Sequence, residues 1–264
     1  MEHLTIAVCK GGKEVERLDV ALVRRGLTPS RTQGRALIEA GQVQVNGVTV
    51  RKPGARVRKA DTITLRSRPR YVGRGGQKME AALRRFALSV AGRTVLDVGA
   101  STGGFTDCLL QHGAARVYAV DVGRRQLAPS LRADPRVQAM EQTDIRTLSA
   151  LPEKVDLIVV DVSFISLRLI LPHLPRFLKP DALGVVALVK PQFEAGPGRT
   201  NRRGVLTDER LRRQVVAGLL EWATRHGWRV LGECPSPIPG GAGNVEFLVH
   251  LQPLGDCFPP PEEV

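Results

Sequence analysis

Cysteine is scarce in this chain of 264 residues, which contains only Cys9, Cys108, Cys234 and Cys257. The four are scattered, and none shows the C-x-x-C spacing of a zinc or redox site. A disulfide framework is typical of small secreted domains with paired cysteines, so the composition does not favour that class either. We therefore expect reduced thiols and no metal site.

A long apolar run is also missing. No stretch approaches the roughly 20 apolar residues of a membrane-spanning helix, and the start at Met1 lacks a secretory pattern. The expected location is the cytoplasm, without stable membrane association. Apolar residues still make up 42% of the chain, which is enough to build one large domain, or a large and a small one.

Acidic residues are rare in the first quarter of the chain. Residues 1–75 hold 16 Lys and Arg against 6 Asp and Glu, and the whole chain has a net charge of +13. Such asymmetry indicates a polyanionic partner. Anionic lipid would also fit the charge, but interfacial binding uses a continuous amphipathic helix, which the pattern does not show.

The basic quarter contains a recognisable order of predicted elements. Apolar residues recur at helical spacing over 15–27, and Ser30 caps a second helix that ends at Gly41. The segment 43–50 alternates around a central Asn-Gly pair, which predicts a β-hairpin. A basic stretch follows, and a last strand is predicted at 62–65.

This order of parts resembles the RNA-binding domain named after ribosomal protein S-four. The matching motifs are Arg17-Leu18-Asp19, Ser30-Arg31 and the segment from Leu37 to Gly47. The resemblance implies that RNA is bound through its shape and its phosphates. The basic side chains predicted to contact RNA, in this module and in later loops, are Arg17, Arg24, Arg31, Arg35, Arg51, Lys52, Arg74, Arg202 and Arg203.

The run 95–105 is the second landmark of the sequence. An apolar strand ends at an acid, passes through small residues and enters a helical pattern. Glycines in such a turn adopt positive φ and let a bulky ligand lie against the backbone, with helix N–H groups facing its polar atoms. Asp121 ends the next predicted strand, where doubly wound folds hold ribose hydroxyls. The glycines lack the G-x-G-x-x-G spacing of dehydrogenases, so S-adenosylmethionine is predicted ahead of NAD.

Strand-like and helix-like segments alternate through the rest of the chain. The near-continuous apolar runs 155–160 and 183–189 predict strands that are buried on both faces. Helices are predicted around Leu127 and Leu131, around Leu167 and Ile170, and over 207–226.

The last two predicted strands, 228–233 and 245–251, follow each other without a helix, so the final one must run antiparallel. The predicted fold class is α/β: a Rossmann-like class I methyltransferase domain with a seven-stranded sheet, preceded by a small α+β S-four-type RNA-binding domain.

Four ionisable residues fall where a cleft over the carboxyl edge of the sheet is expected: Lys78, Asp161, Lys190 and Glu246. Three of them end or interrupt apolar strands, where a charge is costly unless it is paired. Taken singly, each also fits a structural role, such as a cap or a surface charge. Their coincidence on one face of the sheet indicates a catalytic site.

The whole chain resembles the TlyA family, ribosomal RNA 2′-O-ribose methyltransferases that join an S-four-type domain to an FtsJ-like (RrmJ-like) domain; some members are also described as haemolysins. The motifs that carry the resemblance are Arg74 to Lys78, Asp97 to Leu110, Asp161 to Leu167, and Lys190 to Glu194. It implies that the family's Lys-Asp-Lys-Glu tetrad falls on Lys78, Asp161, Lys190 and Glu246. It also implies cytidine ribose in 16S and/or 23S rRNA as the substrate, with ribosomal RNA or ribosomal subunits as the partner.

The residues predicted to bind the cofactor are Asp97, Gly99, Ala100, Ser101, Thr102, Gly103, Gly104, Phe105, Asp121 and Asp144. Gly99, Ser101 and Gly103 are expected at the methionine end and Asp121 at the ribose. Asp144 either accepts from the adenine amino group or caps a helix.

Lys190 is the predicted general base. A ribose 2′-OH is a poor acid, so methyl transfer to it needs a base near the oxygen and in-line placement of the methyl carbon. Two lysines in one cleft destabilise each other's ammonium form, which favours a neutral amine on one of them. Lys78, Asp161 and Glu246 are expected to tune and orient Lys190.

The predicted domain boundaries are 1–66 for the RNA-binding domain, 67–77 for a linker, 78–252 for the methyltransferase domain and 253–264 for a disordered tail. The basic loop 191–204 is expected to act as a lid that touches RNA. We expect a monomer.

Three alternatives remain open at this stage. A base methyltransferase would need an N-P-P-Y type of motif or a strand-end Pro-Cys, and neither is present. A membrane-active haemolysin is suggested only by the description of some relatives. A non-catalytic RNA-binding protein would not need the four ionisable residues.

Overall fold

The computed structural model describes residues 15–65 and 70–255. The chain divides into two compact units between Val72 and Gly73. Most of the predicted tail, the beginning of the RNA-binding domain and part of the predicted linker lie outside the described residues. The finer domain boundaries therefore stay predictions.

The first unit contains two short helices and two small sheets. Its elements are β1 (Val15–Arg17), α1 (Leu18–Arg24), α2 (Arg31–Glu39), β2 (Val43–Val45), β3 (Val48–Thr49), β4 (Arg56–Arg58) and β5 (Ile63–Leu65). Strands β1 and β4 form one antiparallel pair, and β3, β2 and β5 form a three-stranded sheet in that order. The hairpin is confirmed, because β2 and β3 pair antiparallel across two residues.

Local signals explain most of this unit. The Ser30 side chain accepts a hydrogen bond from the backbone N–H of Gln33, so it caps α2 as predicted. The prediction that 15–27 is one helix was wrong at its start. Val15 pairs with Arg58 in the β1–β4 ladder. Pairing with a distant strand overrides helical spacing here.

The second unit is built on a seven-stranded sheet. Its strands are β6 (Thr94–Val98), β7 (Arg116–Asp121), β8 (Val137–Glu141), β9 (Leu157–Val160), β10 (Val185–Val189), β11 (Trp228–Pro235) and β12 (Phe247–Pro253). The spatial order is β11-β12-β10-β9-β6-β7-β8. Strand β12 runs antiparallel to both neighbours, and the remaining pairings in the sheet are parallel, which confirms the predicted topology.

The helices of this unit are α3 (Gly75–Arg85), α4 (Gly104–Gln111), α5 (Pro129–Arg132), α6 (Pro191–Glu194) and α7 (Glu209–Arg225). The predicted helix around Leu167 and Ile170 is instead three separate 3₁₀ turns. Pro172 and Pro175 explain the difference, because proline cannot donate the backbone hydrogen bond that an α-helix interior needs. Within the described residues, no helix has the length and apolar character needed to cross a membrane.

The parallel strands direct the functional residues to one edge. Strands β9 and β10 are buried along their whole length, so they are fixed in the core. Asp121 is the last residue of β7, whereas Gly99, Asp161 and Lys190 directly follow β6, β9 and β10. Since these strands are parallel, the four residues lie at the same carboxyl edge of the sheet. Glu246 directly precedes antiparallel β12 and therefore reaches the same edge.

Candidate active site

Gly99 forms the sharp turn after β6. Its φ is +82°, and a Cβ added there would lie 2.7 Å from the carbonyl oxygen of Asp161. The turn thus packs directly against the chain that leaves β9, and any side chain at this position would push the two apart.

Gly103 has a different constraint. Its φ is +94°, and an added Cβ would lie 2.2 Å from Cδ1 of Leu131. Gly103 lines neither of the two cavities described below. Packing against Leu131 thus accounts for glycine at this position, and its contact with a cofactor stays a prediction.

The larger cavity, of about 500 Å³, opens beyond the carboxyl ends of β6, β7 and β9. It contains four of the predicted cofactor residues, Gly99, Ser101, Asp121 and Asp144. The apolar part of its wall includes Val98, Val120, Val122, Ile145, Val162, Phe164, Ile165 and Ile170.

A smaller cavity of about 150 Å³ shares part of this wall. It contains Ala100, Thr102, Gly104 and Phe105, which are also predicted cofactor residues. Gly99, Ser101 and Asp161 line both cavities. Asp161 therefore stands at the junction of the two spaces.

Asp121 is held by the loops on either side of it. Its Oδ2 accepts from the backbone N–H of Ser101 at 2.7 Å, and its Oδ1 accepts from the N–H of Gly123 at 2.7 Å. Each carboxylate oxygen retains a free lone pair, because a carboxylate offers about four acceptor positions. Asp121 is thus fixed in the cavity wall and still able to accept from a ligand hydroxyl.

Asp97 lies behind the wall rather than in it. It is fully buried, and its Oδ2 accepts from the Thr106 hydroxyl at 2.6 Å, whereas Oδ1 has no hydrogen-bond partner. Burial raises the pKa of Asp97 to about 7, and the negative charge of Asp161 adds to the rise. Asp97 lines neither cavity, so its predicted contact with the cofactor stays a prediction.

Asp144 lines the larger cavity and pairs with Arg146. Its Oδ2 lies 2.6 Å from Nη2 of Arg146, and its Oδ1 accepts from the Arg146 backbone N–H. The guanidinium lowers the pKa of Asp144. Pairing with Arg146 within one turn is a sufficient structural role for Asp144, even when no ligand is bound. Because Asp144 also lines the cavity, its contact with an adenine amino group stays a proposal.

The four predicted catalytic residues separate into two ion pairs. Lys78 and Glu246 form one, with Nζ and Oε2 2.5 Å apart and both side chains buried. Gly240 lies against this pair, since a Cβ added there would be 2.3 Å from Oε1 of Glu246. Neither Lys78 nor Glu246 lines either of the two cavities.

Lys190 and Asp161 form the second pair, with Nζ 2.7 Å from Oδ1. The Lys190 ammonium donates its hydrogen bond to the Ser163 hydroxyl at 2.7 Å. Lys190 is not itself part of either wall, but its partners Asp161 and Ser163 line the larger cavity. The lysine therefore stands at the edge of the larger cavity.

Ser163 was not singled out from the sequence, although the motif that contains it was. The same holds for Glu194, whose carboxylate accepts from the Ser166 hydroxyl at 2.6 Å and from the Leu167 N–H at 2.7 Å. Burial raises the pKa of Glu194. Phe164 and Phe193 also touch, with ring centroids 5.0 Å apart. The chain segments after β9 and β10 are thus tied together beside Lys190.

Glu141 gave no sequence signal at all, yet it supports the cavity wall. Its carboxylate accepts from the backbone N–H groups of Arg125, Gln126 and Leu127 and pairs with Arg132. Gln126 lines the larger cavity. Only the pairing of β8 beside β7 brings Glu141 to this loop.

The predicted RNA-binding residues of the first unit are all described. Arg17 and Arg31 both pair with Asp19, whereas Arg24 contacts Glu16 and Arg35 lies 3.9 Å from Glu39. Arg51 donates to the Glu39 carbonyl at 3.2 Å. Lys52 is exposed.

The remaining three lie in the second unit. Arg74 donates to the carbonyl of Pro239, in the loop that leads to Glu246. Arg202 and Arg203 are exposed on a turn in which the Arg203 N–H donates to the Asn201 side chain. The positive charge of these arginines is compatible with RNA contact. Their assignment as RNA-binding residues stays a prediction.

The site suits a nucleoside-type cofactor. A volume of about 500 Å³ is within the usual range for small-molecule sites. The wall combines apolar side chains for a base with the fixed acceptor Asp121 for ribose hydroxyls. Among the described residues, no group of His, Cys, Asp and Glu could hold a metal ion.

Family models match both units. The model for FtsJ-like methyltransferase matches residues 71–253, and the model for the S4 domain matches residues 16–63. The chain is 47% identical over 244 residues to the 16S/23S rRNA (cytidine-2′-O)-methyltransferase TlyA of Mycobacterium tuberculosis, and the match covers 91% of each chain. It is 40% identical over 238 residues to Hemolysin A of Brachyspira hyodysenteriae, covering 89% of this chain and 99% of the relative.

A solved structure of a hemolysin-named protein from Streptococcus thermophilus superposes with a TM-score of 0.72 at 42% identity, covering 92% of this chain and 90% of that one. The similarity thus extends over both units of the chain. The chain belongs to the TlyA family, in which an S4 domain is joined to an FtsJ-like methyltransferase domain.

Proposed function

We propose that this chain transfers a methyl group from S-adenosylmethionine to the ribose 2′-OH of a cytidine in 16S and/or 23S rRNA. The observation that carries the proposal is the position of Asp161, which lines both cavities and pairs with Lys190. One residue thereby joins a nucleoside-sized site to a lysine at its edge. The relative in Mycobacterium tuberculosis bears the name of this activity.

The cofactor residues divide by cavity. Asp121 would accept from the ribose hydroxyls, and the apolar wall with Asp144 would hold the adenine. Gly99 and Ser101, which line both cavities, would face the methionine end. When bound there, S-adenosylmethionine supplies a methyl group on a positively charged sulfur, which makes the methyl carbon electrophilic.

Lys190 acts on the ribose hydroxyl. The Lys190 ammonium first releases a proton to solvent. The neutral amine then accepts the 2′-OH proton as the oxygen becomes nucleophilic, and this proton passes to solvent in turn. Asp161 and Ser163 hold Nζ in place before the reaction. The Lys78–Glu246 pair fixes the start of α3 relative to the start of β12. Preset geometry of this kind reduces the entropy lost on reaching the transition state.

The S4 unit would supply much of the RNA affinity through its arginines, as its family and its charge support.

Because rRNA is the substrate, the proposed reaction takes place in the cytoplasm. A monomer is sufficient, since every proposed site residue comes from one chain. A hemolysin-type activity is not favoured, because membrane lysis does not require the Lys190–Asp161 pair beside the cavity.

The test uses purified 30S and 50S subunits from cells that lack the gene, incubated with the full-length protein and S-adenosylmethionine. A methyl group on the 2′-oxygen blocks alkaline cleavage of the adjacent phosphodiester, because only a free 2′-OH attacks it. We expect new alkali-resistant cytidine positions in one or both rRNAs. A methyl group found on a base, or none at all, would contradict the proposal.

A further inference from the structure

Asp19 is a fully buried acid in the S4 unit. It lies in the first turn of α1, and both its carboxylate oxygens are used. Oδ1 accepts from Nε of Arg17 at 2.9 Å, and Oδ2 accepts from Nη2 of Arg17 at 3.0 Å and from Nη2 of Arg31 at 3.1 Å. A single carboxylate therefore holds two guanidinium groups from different segments of the chain.

The pairing with Arg17 is bidentate, which fixes the plane of the guanidinium as well as its position. Arg17 also lies against the backbone of Gly54, where an added Cβ would be 3.0 Å from Nη1. Arg17 and Arg31 nevertheless keep side-chain exposures of 46% and 59%. Each guanidinium has five N–H donors, so most of the donors remain available.

Arg24 and Arg35, two other predicted RNA-binding arginines of this unit, are held less firmly. Arg35 lies 3.9 Å from Glu39, and both side chains are more than half exposed. Arg24 has a single contact with Glu16. The Asp19 cluster thus combines a buried anchor with exposed donors. The two arginines lower the pKa of Asp19 to about 2, so the anchor stays ionised at any working pH.

We propose that Asp19 is a positioning residue that sets Arg17 and Arg31 as one rigid site for RNA backbone phosphates. The inference rests on the proposed function, because it assumes RNA as the ligand. Long side chains that are ordered before binding lose less conformational entropy when a phosphate binds. A planar guanidinium with two free N–H groups suits a phosphate oxygen pair.

Simple electrostatics predicts the opposite effect of this acid. A negative charge beside a phosphate-binding surface weakens binding, so removal of Asp19 should strengthen it if charge alone matters. If Asp19 positions the arginines, its removal should weaken binding. The sign of the change therefore separates the two roles.

The experiment measures binding of the full-length protein to 16S and 23S rRNA transcripts at several salt concentrations. Asp19→Asn keeps the size and removes the charge. Glu39→Gln is the matched control, because it also removes one negative charge beside an arginine of the same unit. We expect Asp19→Asn to weaken binding at least about five-fold. The slope of log affinity against log salt should decrease by the amount that corresponds to about one lost phosphate contact or more. Glu39→Gln should bind equally well or slightly more tightly.

A double variant tests the inference even if Asp19→Asn fails to fold. Arg17→Lys with Arg31→Lys keeps both positive charges but loses the planar fork. We expect the same loss of affinity, and in a folded Asp19→Asn background the lysine substitutions should add little. Asp19→Asn binding as tightly as Glu39→Gln, or full affinity of the double lysine variant, overturns the inference alone. Wild-type protein that binds neither transcript also overturns the inference, whereas the proposed function is overturned only by the absence of 2′-O-methylation on 30S and 50S subunits.

Discussion

Lys78 and Glu246 are 168 positions apart in the chain, yet Nζ and Oε2 lie 2.5 Å apart in a buried ion pair. Breaking such a pair leaves an uncompensated charge in the interior, which typically costs about 3–5 kcal/mol. We expect Lys78→Met to lower the free energy of unfolding by about that amount, as measured by urea denaturation. Methylation should fall as well.

The exposed pair Arg213–Glu209 on α7 provides a control. Arg213→Ala should leave the free energy of unfolding almost unchanged, because exposed ion pairs contribute little. Replacing both buried partners, Lys78→Met with Glu246→Leu, should recover much of the lost stability but not the activity. A Lys78→Met variant as stable as the wild type would show that the pair does not form in solution.

Lys190→Ala tests the general base. General base catalysis typically contributes about 10²- to 10⁴-fold, so we expect methylation to fall by at least that range. Binding of S-adenosylmethionine and RNA should change little. Lys190→Arg should do no better, because a guanidinium keeps its proton at any working pH.

Lys179 is the matched control for this experiment, since it also pairs with an aspartate, Asp156, at 3.0 Å. Asp156 lines neither cavity, whereas Asp161, the partner of Lys190, lines both. Lys179→Ala should keep full activity. If the Lys190→Ala enzyme is active, a group other than Lys190 is the general base.

Asp121→Asn tests the cofactor site. Hydrogen bonds to charged groups contribute about 1.5–3 kcal/mol, so we expect the affinity for S-adenosylmethionine to fall about 10- to 100-fold in calorimetry. Asp134→Asn is the control, because that partly buried carboxylate pairs with Arg136 and lines neither cavity. NAD should not bind the wild type; tight binding of NAD without S-adenosylmethionine binding would contradict the cofactor assignment.

Asp97 predicts a pH dependence of stability. Burial raises its pKa to about 7, so the folded state retains a proton that the unfolded chain releases near pH 4. This contribution to stability is fully present below about pH 4 and is lost as the pH rises through about 7, with a slope of at most about 1.4 kcal/mol per unit. Asp97→Asn cannot ionise, so its stability relative to the wild type should increase between pH 4 and pH 7 and then level off. A difference that stays constant across this range would show that Asp97 is ionised in the folded protein.

The salt dependence of RNA binding tests the other predicted RNA-binding residues of the S4 unit, three arginines and a lysine. Replacing Arg24, Arg35, Arg51 and Lys52 with glutamine should weaken binding at low salt. It should also reduce the slope of log affinity against log salt by about 0.7–0.9 for each lost phosphate contact. An unchanged slope would place the phosphate contacts elsewhere in the chain.

The family, the fold class and the methyltransferase class were predicted from the sequence and are confirmed. The reason is that the informative residues follow strands. Gly99, Asp121, Asp161 and Lys190 each end or follow an apolar run that could be recognised in the sequence. Parallel strands then bring such positions to one edge without further information.

Pairing between distant residues was not predictable in the same way. The sequence placed two lysines and two acids in one cleft, but only the structure shows that Lys190 pairs with Asp161. Glu141 had no recognisable motif, because its role depends on the position of β8 beside β7. The strand at Val15 likewise depends on a partner more than 40 residues away.

Strand β12 has a consequence for biosynthesis. Among the residues that the structure describes it is the last strand to be made, yet it inserts between β10 and β11 and directly follows Glu246. A nascent chain that ends before residue 246 therefore has an open hydrogen-bonding edge on β10 and no carboxylate for Lys78. Release of an incomplete chain by the ribosome would yield an inactive, aggregation-prone fragment rather than a partly working enzyme. Synthesis of β12 thus controls when catalysis becomes possible.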